Sequence, residues 1–151
     1  TNPEFFVIPD LGDVYYDNQK NLFIGDTPNN LSIYSNPLPE RMMFHEIDSA
    51  KAIARMKEGW APYFIDVRSQ QENIEARIAK AVDFCPHTDI KSAIDRIPKD
   101  VDVLVYCRSG MRSQLAIMYL IESGFDAMKM YNLSGGIIGW AEIDPEGIIQ
   151  G

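Results

Sequence analysis

The run VLVYCRSGMRSQLAIMYLIES, residues 103–123, constrains the fold more than any other stretch of the chain. Val103 to Tyr106 have the β-branched and aromatic make-up of a short buried strand, and the apolar run from Gln114 to Ser123 is long enough for a helix. The polar loop between them, Cys107-Arg108-Ser109-Gly110-Met111-Arg112, brings the chain to Ser113, read as the N-cap of a helix beginning at Gln114. Cys107 thus precedes a helix amino end, where unpaired N–H groups and the helix dipole favour an anion. Arginines follow the sulfur at one and five positions. Each feature favours a thiolate. The plain alternative is a small apolar core residue. A core cysteine has no need of Arg-Ser-Gly-Met-Arg-Ser after it, however, and guanidinium groups there require visiting anions or pairing partners. Cys107 therefore reads as a reactive thiol.

Loop length narrows the chemistry. Phosphatases with a cysteine nucleophile place one residue more between it and the phosphate-gripping arginine than separates Cys107 from Arg112. The smaller ring of amides suits a terminal sulfur atom better than a tetrahedral oxyanion.

With its flanks, the loop resembles the rhodanese family of sulfurtransferases. Asp66-Val67-Arg68 is similar to that family's Asp-Val-Arg at the end of its second strand, and Leu133-Ser134-Gly135-Gly136-Ile137-Ile138-Gly139-Trp140 to its closing Leu-x-Gly-Gly-x-x-x-Trp. The three motifs occur in order, and the likeness runs from Phe44 to about Glu142. It implies an α/β three-layer fold, a mostly parallel sheet of about five strands with helices on both faces, preceded here by a short N-terminal β-type extension. It implies sulfur transfer through a Cys107 persulfide, from a small anionic donor such as thiosulfate, or a persulfide, to a thiol or protein acceptor. Arg108, Ser109, Gly110, Met111, Arg112 and Ser113 would bind the donor, and Asp66 and Arg68 would support the loop as a buried ion pair. No cofactor is implied. A rhodanese-like domain can also serve as an interaction or regulatory module, in which case the loop would be a binding surface. A third class, a small oxyanion reductase or phosphatase, is disfavoured by loop length.

Ser69 to Pro86 departs from the family pattern: Asn73 and then Ile74 to Ala81 stand where an aromatic residue and a Glu-x-Gly-His-Ile-Pro-Gly-Ala run are usual. With Ala and Lys replacing turn formers, a helix is expected from Gln71 to Ile78. Arg77 is the candidate to make the histidine's hydrogen bonds. Cys85 is either a resolving thiol for Cys107 or a buried small residue. His45 and His87 lack a partner spacing and are not needed as bases.

The rest of the pattern alternates strand and helix: Phe44 to Ile47, a helix capped by Asp48 or Ser49 running to Glu58, Tyr63 to Ile65, Ala81 to Phe84, a helix from Asp89 to Ile97, and Met128 to Tyr131. Trp140 reads as a core residue. Ahead of these lie residues 1–43, an N-terminal extension or a linker from a preceding domain, since the chain opens on Thr1. Val14 to Asp17 and Leu22 to Gly25 flank Asn18-Gln19-Lys20-Asn21 as a possible hairpin, Leu31 to Tyr34 is a third strand, and Asn36-Pro37-Leu38-Pro39 a stiff connector. This segment could mediate fusion to, or docking with, another domain. Residues 44–151 are then the rhodanese-like domain.

Composition sets the outer limits. A formal charge of −8 argues against general binding to nucleic acid or an anionic membrane. No apolar run approaches the roughly 20 residues that span a bilayer, and the amino end lacks signal-peptide features. Two cysteines 22 positions apart make no disulfide framework, and no metal-ligand cluster is evident, so a reducing, cytoplasmic setting is expected.

Overall fold

The computed structural model describes residues 4–8, 12–16, 22–25, 31–35 and 43–151. Its centre is a five-stranded sheet of β5 (His45–Asp48), β10 (Met130–Ser134), β9 (Val103–Tyr106), β6 (Tyr63–Asp66) and β8 (Asp83–Phe84), in that spatial order, with every pairing parallel. Parallel strands need crossovers, and these put helices on both faces. Strand β9 shows the result: Val103, Val105 and Cys107 point into one core, whereas Leu104 and Tyr106 point into the other. The first core is closed by α3 (Met111–Glu122) and a 3-10 segment, His87–Ala93. The second lies under α1 (Ser49–Lys57) and α4 (Gly136–Ile143), where fully buried Trp140 packs on Phe64 at 5.4 Å between ring centroids. Two buried faces explain why Val103 to Tyr106 is apolar throughout instead of alternating.

Helix α1 is capped by the Asp48 carboxylate, which accepts from the Lys51 N–H at 2.8 Å, and Gly59, at φ 104°, follows its end. Two expected helices differ. Helix α2 spans only Gln70–Glu75, closed at its start by a Ser69–Glu72 capping box, and Ala76–Ile78 is a strand, β7. Tertiary bonds hold it extended: Arg68 Nη2 donates to the Ala76 carbonyl at 2.6 Å, the Ile78 N–H donates to the Tyr106 hydroxyl at 3.1 Å, and β11 (Ile148–Gln150) pairs with it antiparallel. The expected helix over Asp89 to Ile97 is instead the 3-10 segment, which starts two residues earlier and breaks at Asp89 (φ −122°, ψ 18°). There the Asp89 carbonyl accepts from the Ser92 hydroxyl at 2.8 Å and the Cys85 thiol at 3.2 Å, competing with helical bonding.

The amino-terminal β-type segment forms a separate antiparallel sheet in sequential order: β1 (Glu4–Ile8), β2 (Gly12–Tyr16), β3 (Leu22–Gly25) and β4 (Leu31–Ser35). The hairpin of β2 and β3 and the third run at β4 were legible, and β1 was not. The turn at Asn18 to Asn21 and the connector at Asn36 to Pro39 lie outside the described residues. Among the described residues no helix is long and apolar enough to cross a membrane.

Candidate active site

Open parallel sheets gather ligand sites at the carboxyl ends of their strands. Cys107 lies there, immediately after β9, the middle strand of the five. The chain turns at Gly110, whose φ of 109° is a left-handed conformation that favours glycine. Helix α3 therefore starts at Met111, with Gly110 as its cap and no side-chain capping bond. This corrects the expected Ser113 cap: Met111, Arg112 and Ser113 form the first helical turn, and Ser113 is fully buried. The turn folds the Gly110 N–H back on Cys107, to which it donates at 3.1 Å from Sγ. The N–H groups of α3's first turn, which a helix cannot use internally, open toward the same end.

A second glycine turn holds the loop from outside. Gly136, at φ 55°, lies so close that a Cβ would come 2.3 Å from the Arg108 carbonyl oxygen and 2.5 Å from that of Cys107. At this approach the first N–H groups of α4 reach the loop: Ile137 donates to the Cys107 carbonyl at 3.0 Å and Ile138 to that of Arg108 at 3.3 Å. The carbonyls of Cys107 and Arg108 are thus both occupied by α4.

The two loop arginines differ. Arg112 is half-buried and bonds Glu72 through both terminal nitrogens, at 2.7 and 2.8 Å. That guanidinium holds the Glu72 carboxyl down at about 2, and the same bonds raise the already high Arg112 value. Arg108 is exposed, as is Ser109. It lines a cavity of about 330 Å³ with Arg68, Glu72, Ile137, Ile138 and Ile148. Cys107 itself is buried, 1% exposed, and is not among the residues that line this cavity. His87 is half-buried beside this pair, and burial, with the Arg112 charge second, depresses its imidazole to about 4, so it is neutral at pH 7.

Asp66 and Arg68 form the expected ion pair, both buried, at 2.7 Å. The carboxylate is saturated: Oδ1 accepts from the Arg68 N–H and Nε, each at 2.9 Å, and Oδ2 from Arg68 Nη2, the Tyr106 hydroxyl at 3.0 Å and Asn73 Nδ2 at 2.9 Å. Burial beside Asp66 pushes the Tyr106 hydroxyl well above its usual value. Asn73 and Arg68 thus hold the altered segment in place, whereas Arg77 makes one bond, to the Asn73 carbonyl at 3.3 Å.

Three polar residues behind the loop escaped the sequence reading. Asn132 of β10, buried, sends Nδ2 to Glu46 Oε1 at 2.9 Å and to the Gly110 carbonyl at 3.1 Å, and its Oδ1 accepts from the Ser113 hydroxyl. Gln114 Nε2 donates to Glu46 Oε2 at 2.6 Å. The traces in the sequence are two amides, Asn132 between Tyr131 and Leu133 and Gln114 at the head of an apolar run. Cys85 is buried with its thiol bonded to the Asp89 carbonyl, and burial raises its pKa. Among the described residues no cluster of three metal-binding side chains occurs.

The comparisons agree with this architecture. The sequence profile described as rhodanese-like domain matches residues 48–143. A protein of Allochromatium vinosum named sulfurtransferase is 37% identical over 110 residues, covering 70% of this chain and all of that one. Among solved structures, a rhodanese-related protein from Thermoplasma volcanium superposes with a TM-score of 0.57 at 26% identity, over 70% of this chain and 98% of that one. A rhodanese-like domain protein from Staphylococcus aureus does so with a TM-score of 0.58 at 24% identity, over 64% and 91%. By its profile, its relatives and its parallel five-stranded sheet with a cysteine loop at the central strand, the chain belongs to the rhodanese-like domain family.

Proposed function

We propose that this protein is a sulfurtransferase whose reacting atom is Cys107 Sγ. The observation that carries the reading is the sulfur at the carboxyl end of the central strand, facing the amino end of α3 and receiving the Gly110 N–H at 3.1 Å. After the thiol loses its proton to solvent, the thiolate attacks the outer sulfur of an anionic donor such as thiosulfate. The new S–S bond forms as the donor's own S–S bond breaks, sulfite leaves with the electron pair, and Cys107 retains a persulfide. A thiol or protein acceptor then removes the outer sulfur. Arg108, exposed at the cavity, meets the donor's charge, with the Ser109 hydroxyl beside it. Arg112 is neutralised by Glu72 and acts chiefly by fixing the first turn of α3. Met111 and Ser113 contribute helix-start N–H groups and Gly110 the turn that aims them. In this reading residues 44–151 are the catalytic unit and residues 1–43 an extension available for docking.

The test is to incubate the protein with thiosulfate, remove the excess and measure intact and peptide masses beside a Cys107→Ala control. One added sulfur at Cys107, discharged by cyanide, with Cys85 unmodified, is the expected result. An unmodified Cys107 under conditions that load an ordinary rhodanese would overturn the reading.

A further inference from the structure

Hydrogen-bond direction behind the loop is fixed by counting donors. Both groups that face Asn132 Nδ2, the Glu46 carboxylate and the Gly110 carbonyl, can only accept, so the amide has one permitted orientation. Its oxygen therefore faces Ser113, and Ser113 must donate. A serine has one hydroxyl hydrogen. With that hydrogen committed to Asn132, the oxygen can only accept from Cys107 Sγ, 3.4 Å away. A neutral thiol suits this arrangement fully: it donates S–H to Ser113 and accepts the Gly110 N–H. A thiolate would face a serine lone pair. Relief requires the Ser113 hydroxyl to turn, which strips a buried amide oxygen of its donor.

We propose that Asn132 is a positioning residue for Cys107: it holds the Ser113 hydrogen away from the sulfur, so that the serine can donate to a thiolate only after its hydroxyl has rotated off the Asn132 amide. The inference deepens the sulfurtransferase reading and rests on Cys107 being the reacting sulfur. It runs against the simpler view that every polar group around the loop promotes the thiolate. Charged groups on the surrounding elements are Arg108 on the loop, Arg112 of α3 with Glu72 of α2, the Asp66–Arg68 pair ending β6, and Glu46 of β5, which reaches the sulfur through Asn132; His87 is neutral. None of these is replaced in the variants below.

The experiment titrates the thiolate by its ultraviolet absorbance, in a Cys85→Ala background with a Cys107→Ala baseline. Ser113→Ala removes the one acceptor that faces the S–H among the described residues, and its midpoint is expected to fall by about one pH unit. Asn132→Leu frees the hydroxyl to donate to the thiolate, and its midpoint should fall at least as far. The double variant should match Ser113→Ala alone if the Ser113 hydroxyl carries the effect of Asn132; a further shift in the double variant would mean that Asn132 acts through its bond to the Gly110 carbonyl instead, and would overturn the proposed coupling. A midpoint that rises in Ser113→Ala would mean that the serine donates to the sulfur and would overturn the proposal, as would no shift. If Asn132→Leu does not fold, the sign from Ser113→Ala still decides. No donor is present in the titration, so failure of Cys107 to load sulfur would overturn the transferase reading alone.

Discussion

Replacing Gly136 by alanine should damage the loop more than any comparable glycine change. The added Cβ would sit 2.3 Å from the Arg108 carbonyl oxygen and 2.5 Å from both the Arg108 carbonyl carbon and the Cys107 oxygen. Carbon and oxygen tolerate little under 3 Å, so α4 and the loop must separate by most of an ångström. An L-residue in the left-handed region costs roughly 1–2 kcal/mol. Losing the Ile137 and Ile138 bonds to the loop carbonyls adds about 1 kcal/mol each, for a total of about 3–4 kcal/mol before relaxation. Gly59 supplies the control: it too has positive φ, 104°, but a Cβ there meets nothing within 4 Å. Gly59→Ala therefore carries the conformational cost alone. Urea unfolding of both variants gives the difference, and thiosulfate loading of Gly136→Ala reports on the loop. Equal destabilisation of the two variants would refute the idea that close backbone approach shapes the site.

Breaking the buried ion pair with Asp66→Asn leaves the Arg68 charge without its counterion, and a loss of about 3 kcal/mol is expected in denaturant unfolding; a loss under 1 kcal/mol would contradict the pair's role. For Glu72, the folded value of about 2 lies below the ordinary value near 4.3, so the stability it contributes is whole above the ordinary value and disappears as pH falls through about 2. The stability gap between wild type and Glu72→Gln should accordingly narrow between about pH 5 and pH 2. Urea midpoints at both ends would check this, and a constant gap would show that Arg112 gains nothing from the carboxylate's charge.

Local chemistry that completes itself within a few residues was legible in the sequence. The strand, the cysteine and the helix behind it follow from composition and periodicity around residue 107, and Asp66 beside Arg68 signals its own pairing. What failed was decided by distant partners. Ala76 to Ile78 has helical composition, yet the Arg68 guanidinium, the Tyr106 hydroxyl and the β11 backbone claim its peptide groups, and propensity is too weak to compete. Ser113 looks like a cap until Gly110 is seen turning the chain three residues earlier, which sends the hydroxyl inward. Asn132 and Glu46 could not be assigned at all, because their meaning lies in hydrogen bonds across 86 residues. The resemblance implies that Arg112 binds the donor, whereas its partner Glu72, 40 residues away in the chain, carried no signal in the sequence.

The bonds from α4 to the loop carbonyls also bear on biosynthesis. A ribosome delivers β9, Cys107 and α3 well before Gly136 to Ile138, so a nascent chain that has reached Glu122 holds the cysteine but not the helix that turns the Cys107 and Arg108 carbonyls outward. The sulfur therefore gains its finished surroundings only once α4 has emerged and docked, late in translation. Truncated or stalled products ending before Gly136 would present the loop without the two bonds that hold its carbonyls, and only the complete fold fixes the position of Cys107.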